Sequence, residues 1–208
     1  MRPTKYLITA LGFLFLFAGT INADENSGAW EPLTASVQQE PLNSAVPIYR
    51  AFVNVRSEKF TFLMPEGFRL AGDPAHGRLQ VDNPDANVHI SFIILGPVPA
   101  DSPPLNAASY REMLLQRYAG GKILGEFQGS AAGGQTGPGF DIERPGPAGL
   151  AQRIRIVYLP TVAGVLELTV TSGTKNFSVA KSNLSDLLGS LRCSENGKLV
   201  FPHLSDKA

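Results

Sequence analysis

The sequence predicts an α+β fold: an antiparallel β-sheet of about six to seven strands with helices packed on its faces. Three observations carry that expectation. Between Ala151 and Ser172 two alternations of period two face each other across Pro160 and Gly164. Ile154, Ile156 and Tyr158 alternate with Arg153, Arg155 and Val157, and Leu166, Leu168 and Val170 alternate with Val165, Glu167, Thr169 and Thr171. Two other stretches, 107–118 and 177–191, carry apolar residues at helical spacing. A hairpin alone is marginal in water, so further strands must flank this one and the helices must cover it.

The chain opens on an address rather than on structure. Arg2 and Lys5 precede an almost wholly apolar run from Tyr6 to Ala18, and Gly19-Thr20-Ile21-Asn22-Ala23 leads to Asp24-Glu25. This is the layout of a secretory signal peptide cleaved after Ala23. The run is shorter than the roughly 20 residues that span a bilayer, which disfavours a retained anchor. A soluble exported protein is expected, periplasmic or secreted, with no stable membrane insertion after cleavage. Loss of Arg2 and Lys5 leaves 16 basic against 18 acidic residues, a formal charge of −2. No basic stripe remains to displace counterions from phosphate, so a nucleic-acid partner is not expected. Cys193 is the only cysteine; it makes no internal disulfide and is either buried and inert or available for an intermolecular bond, with burial or partial burial expected because it follows an apolar helical run.

Residues 24–49 read as a flexible N-terminal arm, because Pro32, Pro41 and Pro47 are scattered among small polar residues, with Trp30, Leu33 and Val37 isolated. Trp30 is expected to touch the edge of its own domain. The domain itself is placed at 50–193, followed by a C-terminal tail, 194–208. Phe52, Val53 and Val55 suggest a short strand, and Phe60 to Met64 a stronger one, closed by the turn chemistry of Pro65-Glu66-Gly67-Phe68. Leu79 to Val81 and Val88 to Leu95 form a hairpin across Asp82-Asn83-Pro84-Asp85. Its second arm sets Val88, Ile90, Phe92 and Ile94 against His89, Ser91, Ile93 and Leu95, as in a strand covered on both faces.

A proline-rich crossover, Gly96–Leu105, leads to the first helix. Asn106 is placed to cap it by accepting from the Ser109 amide. Ala107, Tyr110, Met113, Leu114 and Tyr118 form its stripe, and Gly120-Gly121 stop it. The segments 123–127 and 139–143 are strands separated by a small, flexible connection, Gly129 to Gly137. After the central hairpin comes the last helix, capped by Asn176 or Thr174, with Phe177, Ala180, Leu184, Leu187, Leu188 and Leu191 as its apolar stripe.

The run Lys59-Phe60-Thr61-Phe62-Leu63-Met64-Pro65-Glu66-Gly67-Phe68, the late strand pair and the closing helix from Leu184 to Arg192 follow one another in an order that resembles the PsbP-like and Mog-type α/β/α sandwich family. That family includes the extrinsic photosystem II protein of thylakoids, a nuclear Ran-binding protein and exported bacterial members of the DcrB-like branch. The resemblance covers about Arg50 to Cys193. It implies a binding or accessory protein rather than an enzyme, and it carries over no functional residue. The secretory leader lacks the Ser- and Arg-rich character of a transit peptide, which disfavours a photosynthetic role.

No pattern assigns a catalytic residue, a cofactor site or a metal ligand. Ser178-Val179-Ala180-Lys181 has the Ser-x-x-Lys spacing that puts a hydroxyl and an amine one helical turn apart for acylation. Its companion motifs are missing, and so short a pattern arises about once by chance in a chain of this size. Asp73, His76, Asp82, Asp85 and His89 are hard and imidazole ligands close in sequence, but a metal site needs three or four converging at fixed geometry. Asp141 and Glu143 share a strand face roughly 7 Å apart, where Arg144, Arg153 and Arg155 are expected to neutralise them across strands. Asn176 and Asn183 begin glycan-acceptor triplets, and Gly120-Gly121-Lys122 lacks the rest of a phosphate loop. The expected function is therefore an exported, non-catalytic binding or accessory protein of the cell envelope. It would recognise a protein partner through a sheet edge or the loops Gly72–Gly77 and Gly96–Leu105. Two other classes remain open: a small secreted serine hydrolase using Ser178 and Lys181, and a carrier of an apolar ligand among Phe60, Phe62 and Phe92.

Overall fold

A computed structural model describes residues 33–40, 47–56, 58–74, 77–95, 106–146, 149–161, 164–195 and 198–199. The leader Met1–Ala23, Trp30, His76 and the crossover Gly96–Leu105 lie outside the described residues.

Among the described residues two antiparallel sheets and two α-helices make up the fold. The strands are β1 (Thr34–Gln39), β2 (Tyr49–Val55), β3 (Glu58–Leu63), β4 (Arg69–Asp73), β5 (Arg78–Asn83) and β6 (Val88–Leu95). Helix α1 (Ala107–Arg117) follows, then β7 (Lys122–Ser130), β8 (Thr136–Pro145), β9 (Ala151–Thr161) and β10 (Gly164–Gly173). Helix α2 (Phe177–Ser190), β11 (Arg192–Glu195) and β12 (Lys198–Leu199) are the last elements among the described residues. A seven-stranded sheet has the order β4-β5-β6-β10-β9-β8-β7, and a five-stranded one the order β1-β2-β3-β11-β12. The predicted fold class is therefore present in the larger sheet and its helices.

The alternations at β9 and β10 decide how the layers stack. Pairing sets Leu166 opposite Leu159 and Leu168 opposite Val157, so these face one way, while Glu167 opposite Tyr158 and Thr169 opposite Ile156 face the other. The first, inner face meets the five-stranded sheet and α2. Phe60 and Phe62 of β3 meet Phe92 of β6, with ring centroids 5.7 and 5.9 Å apart, and Ala180, Leu184, Leu187 and Leu191 complete the layer. Each phenylalanine so buried contributes on the order of 2 kcal/mol. On the outer face α1 lays Tyr110 and Leu114 over Phe140, Ile142, Ile154, Ile156 and Tyr158. The apolar stripe predicted for the last helix is buried at every position, and the Asn106 side chain accepts from the Ser109 amide at 3.0 Å, as its cap position requires.

Several expectations are corrected. The segment read as an arm without regular structure contains β1, which pairs with β2 over six residues and is entered by buried Leu33, whose amide donates to Pro74 O at 2.8 Å. The domain end placed at Cys193 falls inside β11, which pairs with β3. The connection read as flexible is the tip of the β7–β8 hairpin docked on the end of α2. There Ala132 N donates to Leu188 O and Gly133 N to Leu191 O, both at 2.9 Å, supplying partners for carbonyls a helix end leaves open. Neither Thr174 nor Asn176 caps α2 by a side-chain bond: residues 174–176 form a 3-10 turn, and Asn176 Nδ2 donates to Ala86 O at 3.1 Å. The outer face of β6 is not fully covered, for His89 is exposed and Ser91, Ile93 and Leu95 are half-buried.

Candidate functional site

The residues singled out for chemistry do not converge. Ser178 lies on the exposed side of the first turn of α2, and the Lys181 ammonium is drawn over the Phe177 ring, 5.3 Å from its centroid. His89 Nδ1 lies 3.2 Å from Asp82 Oδ1, its direct cross-strand neighbour, and Nε2 lies 3.4 Å from Asn87 Oδ1. Asp73 is at the far edge of the same sheet, and among the described residues no three of His, Cys, Asp and Glu are grouped as metal ligands. Phe60, Phe62 and Phe92 are wholly buried against one another between the sheets. Asn183 is in the middle of α2, half-buried.

Asp141 and Glu143 are paired across strands by two of the three arginines expected. Arg155 binds Asp141 through two parallel bonds of 2.7 Å, and Arg153 Nε donates to Glu143 Oε2 at 3.0 Å. Arg144, one residue off in parity, points to the outer face, donates to Gln152 Oε1 at 2.9 Å and lies over Tyr118. The inner-face pairs belong to a longer ribbon. Gly139 has no side chain, so Phe127, its direct partner on β7, lies across it; the Arg155 guanidinium stacks 4.2 Å above that ring. Further along, Arg153 and Lys181 both face the Phe177 ring, at 5.7 and 5.3 Å. The ribbon is part-buried and borders β7, beyond which no strand lies among the described residues. It holds Arg and aromatic groups in fixed, partly desolvated positions, the composition that suits protein recognition.

A second polar cluster is buried under the end of α1. Glu167 is 2% exposed, and Arg117 Nη1 donates to both of its carboxylate oxygens at 2.8 Å, with Thr169 Oγ1 donating at 3.3 Å. Tyr158 lies beside Glu167 in register, its ring stacked on Tyr110 with centroids 4.0 Å apart. The Tyr158 hydroxyl is buried without a hydrogen bond of acceptable geometry, although the carboxylate is near enough to act on it electrostatically. Burial first, and the Glu167 charge second, hold the phenols of Tyr110, Tyr118 and Tyr158 above the ordinary tyrosine value. Burial works against the Arg117 charge, but Glu167 outweighs it and leaves the guanidinium more basic than usual. The sequence placed Glu167 on the polar side of its strand. That α1 would cross there and cover it has no local signal.

Cys193 is buried as expected, opposite Phe60 on β3. Burial, then the Glu58 charge, pushes its thiol up to about 12, which makes it inert at neutral pH.

No family model matches the chain, and no curated protein does. Among solved structures it is similar to the solution structure of cyanobacterial PsbP (CyanoP) from Synechocystis sp. PCC 6803. The match covers 76% of this chain and 92% of that chain, at 13% identity and a TM-score of 0.47. At that identity no residue role or activity passes from one to the other. Among the described residues no helix is long and apolar enough to cross a membrane.

Proposed function

We propose that the chain is an exported, non-catalytic accessory protein of the cell envelope, akin to the DcrB-like branch of the PsbP-like class, which recognises a protein partner on its β7–β8–β9 surface. The observation that supports this most is the ribbon Phe127–Arg155–Asp141 and Glu143–Arg153–Phe177, part-buried near the open edge of β7, with Phe177 buried at its far end. An extended segment of the partner adds to β7 through main-chain hydrogen bonds, and its side chains are read by the Arg and aromatic groups alongside. Leu124, exposed on β7 next to the bulge between Ile123 and Gly125, lies within that footprint.

The test is retention of an envelope protein from native extract by immobilised wild-type chain, compared with Leu124→Asp, Arg155→Ala and Val179→Asp. The first two should lose the retained protein and the third, on the exposed side of α2, should keep it. Background retention by the wild type, or equal retention by all four, refutes the reading. Export is checked separately: the intact mass of the protein recovered outside the cytoplasm should begin at Asp24.

A further inference from the structure

Among the described residues four strands have an open side: β1 and β12 in the smaller sheet, β4 and β7 in the larger. An open edge offers unpaired amides and carbonyls to any other strand, and proteins blunt such edges with charges, proline, bulges or brevity. Three of the four carry such devices, which on β7 restrict the edge to a partner that matches them rather than close it. Strand β4 carries Arg69 and Asp73 and turns through Gly72 at a φ of +99°, β7 carries Lys122, Glu126 and a bulge, and β12 is only two residues long. Strand β1, Thr-Ala-Ser-Val-Gln-Gln, has no charge, proline, glycine or bulge along its six residues, and its register with β2 is unbroken.

The same edge also leaves apolar surface uncovered. Ala35 and Val37 pair with Val53 and Ala51, both wholly buried, so they belong to the core side of the sheet. Val37 is nevertheless 40% exposed, and Tyr49, opposite Gln39 on the same side, is 44% exposed. Among the described residues the core-side layer reaches Ala35 but leaves Val37 and Tyr49 uncovered at one end of the β1–β2 pair.

We infer that β1 is a self-association edge, pairing antiparallel with β1 of a second copy of this chain and joining two five-stranded sheets into one. A two-fold axis normal to the sheet keeps the core sides of both copies together only if residues of like parity meet. With Val37 on the axis, Val37 meets Val37, Ala35 meets Gln39 and Ser36 meets Gln38. The copies cover each other's Val37, and the exposed Tyr49 rings flank the seam. No charge stands on β1, so self-pairing neither brings like charges together nor strips a charged group of water. Six residues span about 20 Å, well below a standard interface, so the dimer is weak, with a Kd on the order of tens of micromolar. This surface is on the other sheet from the partner-recognition ribbon, and the two readings fail independently.

The experiment is sedimentation equilibrium of the purified chain from about 1 to 300 µM, with wild type, Val37→Lys and Leu124→Asp. Wild type and Leu124→Asp should pass from monomer to dimer mass over that range, and Val37→Lys should stay monomeric with an unchanged circular dichroism spectrum. Val37→Cys, under mild oxidation at the upper concentration, should form a disulfide-linked dimer, while Val179→Cys should not; Cys193 is buried and does not compete. A wild type that is monomeric throughout, a dimer that survives Val37→Lys, or cross-linking of Val179→Cys as readily as Val37→Cys overturns the inference. Should Val37→Lys fail to fold, the cross-linking pair decides it alone.

Discussion

Removing Arg117 tests whether the cluster under α1 is a structural clamp. In Arg117→Ala the Glu167 carboxylate, 2% exposed, keeps the weak Thr169 bond and loses both 2.8 Å bonds from the guanidinium. Breaking a buried pair from one side costs roughly 3–5 kcal/mol. The Arg117 side chain is itself 35% exposed, so water already screens part of the attraction and can enter the space it vacates. The expected loss is therefore about 2–3 kcal/mol, or about 4–12 °C in Tm for a domain of this size. Glu167→Gln should cost less, about 1 kcal/mol, because the stranded guanidinium can turn to solvent and the amide oxygen still accepts. With both replaced by apolar residues, Arg117→Met with Glu167→Leu, stability should return to within about 1 kcal/mol of wild type, since no buried charge is left. The measurement is urea denaturation of the four proteins at neutral pH. A double variant that loses the sum of the single losses, or a Glu167→Gln loss exceeding that of Arg117→Ala, would refute the clamp.

Tyr158→Phe should be neutral or stabilising by up to about 1 kcal/mol, because it deletes a hydroxyl with no hydrogen bond and keeps the ring stacked on Tyr110; a clear loss in denaturant midpoint would mean the hydroxyl has a partner. The raised phenols of Tyr110, Tyr118 and Tyr158 bind their protons more tightly when folded, so their contribution is complete below the ordinary tyrosine value of 10.0 and declines as pH rises beyond it. Cys193 adds an earlier decline between 9.0 and about 12. Denaturation midpoints should fall above about pH 9 and fall less steeply in Cys193→Ala; a flat profile contradicts both assignments. The same thiol should react with a neutral alkylating reagent only at the rate of unfolding, followed by mass against time. Gly137→Ala should unfold or lose at least about 3 kcal/mol, because a Cβ there overlaps the Tyr158 carbonyl oxygen, whereas Gly125→Ala meets nothing and should leave Tm within about 2 °C.

How much of this was legible depends on where the cause of each feature lies. Strand β10 could be read to within a residue or two because Leu166, Leu168 and Val170 are buried on one side by whatever covers the sheet. The inner stripe of α2 and the Asn106 cap are local in the same way. Strand β1 could not be read, because four of its six residues are polar and it is a strand only while β2 holds it. Gly72 made β4 look like loop. The outer side of β6 looked like core from its apolar Ile93 and Leu95, but nothing among the described residues covers His89.

The candidate surfaces divide along the same line. Sequence alone set the parity that puts Asp141, Glu143, Arg153 and Arg155 on one side of neighbouring strands, since alternation is a property of the extended backbone itself. It also set the lone thiol, the balanced charge and the lack of any strong motif of metal or nucleophilic chemistry. Only the tertiary structure decided that Arg144 turns away from those acids, that the docking of α1 encloses Glu167 with Arg117 and three tyrosines, and that β1 and β7 are left as edges. Those outcomes depend on which strands become neighbours and how a helix crosses them. Such contacts join residues far apart in the chain, and no spacing within a single segment encodes them.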